Sequence, residues 1–445
     1  MKQIYDITAY GAVAGSDELQ TSFIQAAVDA AFLAGGGEVV VPRGVFKTGT
    51  IRLRSNITLR LLSGAVLDGT TDLDAYTHFL EDTLEPIDPD AEYDEDYNAD
   101  NDSPYEKYRT NGCFVRHRWF DAIIKVYRAE NVKILGEKDS VICGNNAYDP
   151  NGEEGYRGPH AIQMSYCKNL EFGGYTVKDS ANWAHTIFKS ENVFAHDLTV
   201  LGGHDGFHVR VCRNVLVEDC EFYTGDDCIA GFANENVVIR RCLMDCACSA
   251  MRFGGTDILV DSCRTHAPSR YGFRGSLSQE ERAARADTNE THRHTQHTPF
   301  LYFCDHPVKI EKPQGNIVIQ NCVFEQPNSF FRLRWGQFCC HNRSLVDITF
   351  RNCKCTGVSL PIDLYCDADE PCTLRLIDVE ISAREGCEDK PLIHADHFKR
   401  IEFDNVTLTG FADPTILSKT EGELVMKNST PVKFRLTDVL HDRYV

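Results

Sequence analysis

NVFAHDL from Asn192, NVLVEDCEF from Asn214, NVVIRRCLM from Asn236 and DILVDSC from Asp257 are four copies of one pattern. Each opens on Asn or Asp, runs through alternating apolar and polar residues, and often closes on Cys. Further copies are NVKILGE from Asn131, NLEFGGY from Asn169, NIVIQNCVF from Asn316 and DITFRNC from Asp347. From Asn169 to Asp257 the steps are 23, 22, 22 and 21 residues. A fixed period with short β-type segments between turn residues is the mark of a stacked repeat. The alternation has period two, so every second side chain points inward. Helical repeats need a 3.6-residue period, and the Leu and Asn positions of a leucine-rich repeat are missing. The expected fold is all-β, a right-handed parallel β-helix of one coil per repeat, forming a single domain over 1–445.

Working outward, Cys220, Cys242 and Cys263 hold equivalent repeat positions, and Cys322 and Cys353 sit in the same motif. They are expected to stack inward as small apolar thiols; a metal-binding stack is the weaker alternative. The stretch before the repeats contains one amphipathic helix, about Glu18 to Leu33, stopped by Gly35-Gly36-Gly37 and suited to cap an exposed solenoid end. Two segments lack the repeat, 78–112 (acidic and aromatic) and 276–312 (rich in charge and histidine), and are expected as inserted loops flanking a cleft.

The chain has 445 residues, 19 cysteines and a formal net charge of -20. Phosphate binding needs a basic stripe, so nucleic acid is excluded as a partner. A polyanionic sugar would need a locally basic cleft. No stretch reaches the roughly 18 apolar residues of a membrane span, so no membrane partner is expected. The opening MKQIYDITAY reads straight into a strand, without the features of an export signal. A cytoplasmic location is the expectation, with the cysteines reduced. No interface signal fixes the oligomeric state.

Two adjacent repeats carry polar breaks. GGHDGFHV holds His204, Asp205 and His208, and TGDDCIAGF holds Asp226 and Asp227. Asp205 lies 21 and 22 residues before Asp226 and Asp227, one coil away, so the backbones should be roughly 4.8 Å apart. Carboxylates that close push one pKa up, leaving a protonated acid beside an ionised base. Glycoside hydrolysis uses such a pair; an Asp/Asn ladder at strand ends is the structural alternative. Trp183 falls 22 residues before Asp205 and could offer an aromatic platform to a sugar. Arg252 and Arg274, also 22 apart, could bind a substrate oxygen or carboxylate, or neutralise the aspartates. His292, His294 and His297 read as a polar loop rather than a metal tract.

These residues resemble the family 28 glycoside hydrolases, the polygalacturonase group of right-handed parallel β-helices. The run YGAVAGSDELQTSFIQAAVDAAFLAGGGEVVVPRGVFKTG is similar to that group's opening. The family's Asn-Thr-Asp-Gly is matched by Gly203-His204-Asp205-Gly206, its Gly-Asp-Asp by Gly225-Asp226-Asp227, and the Arg of Arg-Ile-Lys by Arg274. The resemblance implies Asp226 as general acid, Asp205 and Asp227 activating water, and inversion at the anomeric carbon. Two positions depart. The family's Gly-His-Gly falls where this chain has Ala247-Cys248-Ser249, and its lysine where this chain has Ser276. His185, His204 and His208 are the candidates to replace the histidine beside the substrate.

The expected function is thus an exo-acting, inverting glycoside hydrolase on an imported oligosaccharide, pectin-derived or neutral. The chemistry calls for no organic cofactor and no metal. Alternatives are a β-helix lyase, an intramolecular glycosyl transferase on the same fold, and a catalytically dead glycan-binding β-helix.

Overall fold

A computed structural model describes residues 3–76, 121–149, 157–273, 293–304, 310, 312–336 and 340–440. Both expected inserted loops, 78–112 and most of 276–312, lie outside the described residues, as do Arg274 and His292. The described chain winds into a right-handed parallel β-helix: every strand pair is parallel, each strand hydrogen-bonding to its counterpart one coil on. A typical coil passes through three sheets. In one coil these are His185–Phe188, Glu191–His196 and Thr199–Gly202. The next coil repeats them as Phe207–Arg210, Arg213–Glu218 and Glu221–Thr224.

Asparagine sets the corner between the first and second sheets. Asn131, Asn169, Asn192, Asn214 and Asn236 all have φ between 56° and 58°, the left-handed region. Asn reaches that region more readily than other residues with a β-carbon. Their side chains form a continuous ladder: each Nδ2 donates to the Oδ1 one coil below, from Asn131 to Asn56 (2.9 Å) up to Asn236 to Asn214 (2.8 Å). Asn316 continues it by donating to Asp257 at 2.6 Å.

A second left-handed corner, at Asp219, Arg241, Ser262, Asn321 and Asn352, precedes the cysteine column. Cys220, Cys242, Cys263, Cys322 and Cys353 are all buried. Each thiol lies 3.0–3.5 Å from the carbonyl two residues earlier in its own coil. A small apolar side chain with a weak S–H donor fits this place: it fills the core and offers a second donor to a carbonyl that already accepts a backbone N–H from the preceding coil.

Helix α1, Thr21–Leu33, turns Ile24, Ala27, Val28 and Ala31 into the core and packs on the first strands. It begins three residues later than the expected Glu18. Gln20 is held in place instead: its Oε1 accepts from the Val13 N–H at 2.8 Å, its Nε2 donates to the Glu18 carbonyl at 2.8 Å, and its own N–H goes to Lys47. Among the described residues no helix is long and apolar enough to cross a membrane.

Candidate active site

The site forms where the third sheet turns into the first. Backbone bonds from Ala184 to Asp205, Gly206 to Asp227 and Cys228 to Ser249 put Trp183, Asp205, Asp227 and Ser249 in one column across four coils. Asp227, not Asp226, therefore stands directly above Asp205. Gly225 is needed to bring the turn so close. A β-carbon there would lie 2.5 Å from the Gly272 carbonyl oxygen and 2.8 Å from that of Gly203.

Asp205 and Asp227 are each about 1% exposed, whereas Asp226 is half-buried and the most open of the three. Arg252 joins the buried pair, its Nε 2.5 Å from Asp227 Oδ2 and its Nη2 3.5 Å from Asp205 Oδ2. Asp227 Oδ1 accepts from the Ser249 N–H at 2.9 Å. The register gives Arg252 its reach. Thr186, His208, Ala230 and Arg252 follow one another outward on the first sheet, and small Ala230 separates the arginine from the histidine. The guanidinium is fixed from behind by the Phe303 ring, 4.4 Å away.

Burial pushes the Asp227 carboxyl up to about 7; Arg252 pulls against that, and the charges of Asp226 and Asp205 add to it. His208 is fully buried, and its Nδ1 lies 3.0 Å from Asp205 Oδ2. Burial first, then the charges of Arg210, Arg252 and Arg157, hold its pKa well below the usual histidine range. The neutral ring thus presents Nδ1–H to the carboxylate and orients it.

Trp183 is buried, with the His208 ring tilted by 33° against it at a centroid distance of 3.9 Å, and is not the open platform expected. His204 is buried and lines a crevice with Ser180, Asn182 and Asp205. His185 does not face the site at all. It pairs in register with Phe207, and that inward column continues through Ile229 and Met251. Its ring bonds Tyr175 Oη at 3.0 Å and the Gly206 carbonyl at 3.1 Å inside the core, and burial lowers its pKa to about 4. It is a core residue, corrected from the expected substrate contact.

Two residues emerge that the motifs did not single out for the site. Cys248 brings its Sγ within 4.8 Å of carboxylate oxygens of both Asp226 and Asp227. Burial and those two aspartates raise its pKa, so it stays a thiol. His297 Nδ1 lies 3.9 Å from that sulfur, its pKa lowered to about 3 by burial and by Arg293, Arg332 and Arg334. His294 instead turns to the Ser269 carbonyl at 2.9 Å. The Asp226, Asp227 and Cys248 atoms have the mutual spacing of metal ligands. Arg252 and the Ser249 N–H already take both Asp227 oxygens, however, so the cluster is built as a carboxylate–guanidinium site.

Residues 109–249 match the model of glycosyl hydrolases family 28. A probable polygalacturonase of Vitis vinifera is 24% identical over 256 residues, 52% of this chain and 47% of that protein. An exo-poly-alpha-D-galacturonosidase of Dickeya chrysanthemi is 26% identical over 255 residues, 51% of this chain and 41% of that protein. The matched stretch therefore spans less than half the length of either relative. The structure of the Yersinia enterocolitica family 28 exopolygalacturonase superposes with a TM-score of 0.66 at 17% identity, covering 96% of this chain and 78% of that one, which shows the shared fold. The stretch that carries Asp205, Asp226 and Asp227 is thus similar to glycosyl hydrolases family 28, and the coil architecture around it is shared with an enzyme of that family.

Proposed function

We propose that this protein hydrolyses glycosidic bonds in uronate-containing, pectin-derived oligosaccharides with inversion of configuration, releasing sugar from a chain end. Asp226, the carboxyl most open to the cleft, protonates the leaving oxygen. Asp205 and Asp227, aimed by Arg252, His208 and the Ser249 N–H, hold and deprotonate the attacking water.

The observation that carries the proposal is the pairing of this triad with arginine. Arg157, Arg210 and Arg252 bear on His208 electrostatically, and Arg293 bears on Asp226. A chain of net charge -20 thus sets Arg252 against Asp205 and Asp227, lets Arg293 bear on Asp226, and lets Arg157 and Arg210 bear on His208 beside them. That supplies the locally basic cleft an acidic sugar requires. It also favours a uronate over the neutral sugar that the absent family lysine left open. The names of the matched relatives, polygalacturonases, point to the same substrate class. Seventeen free thiols among the described residues support a reducing compartment, where the substrate is a short, imported oligomer.

The stereochemistry is tested by proton NMR on an oligomer of α-linked galacturonate. Inversion predicts that the β-anomer of the released sugar appears first and then mutarotates. First appearance of the α-anomer would remove the inverting mechanism.

A further inference from the structure

A second concave surface lies at the other edge of the first sheet, outside the aspartate cluster. It is a groove of about 590 Å³ at the corner between the first and second sheets, spanning four coils, a volume within the roughly 300–1,000 Å³ of ligand sites. Its rim carries Arg128, Lys168, Lys189 and Arg213 against two carboxylates, Glu130 and Glu191. Among the described lining residues the cations outnumber the carboxylates, and Lys168 lies 3.7 Å from Glu191.

The cations are arranged over aromatic rings. Arg128 lies 5.8 Å from the centre of the half-buried Tyr166 ring, and Lys189 lies 5.6 Å from the same ring and 5.5 Å from that of Phe188. Tyr127, Tyr166 and Phe188 meet edge to face at 6.0 and 5.8 Å along the stack. The strip then reaches the catalytic side: Arg210 sits 5.4 Å from both the Phe188 and the Trp183 rings. Trp183 in turn packs against the His208 ring, which bonds Asp205. The four-residue strand between the two edges spans roughly 13 Å.

We infer that this groove is a second saccharide-binding site, taking carboxylate-bearing sugar units of the chain whose end lies at Asp226. The C–H faces of the sugars lie on Tyr166 and Phe188, and their carboxylates pair with Lys189, Arg128 and Arg213. The inference extends the proposed uronate specificity. It also stands apart from turnover, because it concerns binding.

The test uses Asp226→Asn protein, so that substrate survives, and titrates the dimer and the hexamer of galacturonate calorimetrically. The groove predicts that the hexamer binds about tenfold or more tightly than the dimer, and that Lys189→Ala combined with Tyr166→Ala abolishes this gain while dimer affinity holds. Both side chains are at least partly exposed, and matching thermal unfolding of the variants confirms intact folds. A hexamer advantage that survives both substitutions, or no advantage at all, overturns the inference. Groove-dependent binding by a protein that never turns over would leave the inference standing and defeat the hydrolase proposal. Turnover with no groove dependence would do the reverse.

Discussion

Arg252 Nε lies 2.5 Å from Oδ2 of Asp227, two groups that the chain brings from neighbouring coils, the carboxylate buried and the guanidinium partly so. A buried carboxylate is tolerable only when paired and hydrogen-bonded. This one has both a guanidinium and a backbone N–H, so the geometry of the aspartates depends on the arginine.

Arg252→Ala should therefore damage both stability and catalysis. Removing one member of a buried pair costs about 3–5 kcal/mol, readable by denaturant titration. Arg252 holds the Asp227 pKa down against burial and two neighbouring aspartates. Its loss should move the Asp227 pKa further upward, and with it the pKa of kcat/KM set by this carboxyl. Arg252→Lys keeps the charge but loses the two-pronged contact, and should recover stability more than activity. An unshifted pH profile in Arg252→Ala would mean the arginine does not tune the site.

Buried His185 makes a contribution of definite sign to acid sensitivity. Its folded pKa, about 4, lies below its unfolded value of 6.5 because burial disfavours the cation. The unfolded chain binds the extra proton between those values, so this contribution is complete above pH 6.5 and is lost as pH falls toward 4. The loss amounts to roughly 3 kcal/mol. Asp227, with a raised pKa, acts in the opposite sense, losing stability as pH rises toward 7. The histidine effect is therefore read by difference: His185→Phe should show a smaller drop in unfolding free energy between pH 7 and pH 4 than the parent. An equal drop would show that His185 is not held neutral.

The asparagine ladder separates two costs at one position. Asn192 donates to Asn169 at 2.8 Å and accepts from Asn214 at 2.9 Å, with φ at 58°. Asn192→Gly gives up the two hydrogen bonds but keeps an easy left-handed backbone. Asn192→Ala gives up the bonds and adds about 1–2 kcal/mol for the conformation. Alanine should thus destabilise more than glycine, reversing the usual order within strands. Equal losses in urea unfolding would place the whole cost in the side-chain bonds.

The fold was legible because one coil is one repeat, so corner asparagines and inward cysteines recur at nearly constant spacing. The same arithmetic brings Asp205 beneath Asp227, 22 residues on. It also marks His185 as a core residue, since 22 residues on stands the inward Phe207. Repeat position outweighs the polarity of imidazole there, and Tyr175 supplies the buried partner. The proximity of His297 to Cys248 was not legible. Ser249 pairs with Thr298 across the longer excursion of residues 262–297, which breaks the 22-residue count. The encircling arginines were only partly visible, because Arg157 and Arg293 reach the site from segments outside the regular repeat.

Hydrolysis of a galacturonate oligomer is the activity proposed for the Asp205, Asp226 and Asp227 cluster. The most direct measurement incubates parent and Asp226→Asn proteins with that oligomer and follows both new reducing ends and ultraviolet absorbance. The parent should release reducing ends without an absorbing product, at a rate that falls by about 10²–10⁴-fold in Asp226→Asn. Release at an equal rate by both proteins, or an unsaturated absorbing product, would contradict the proposal.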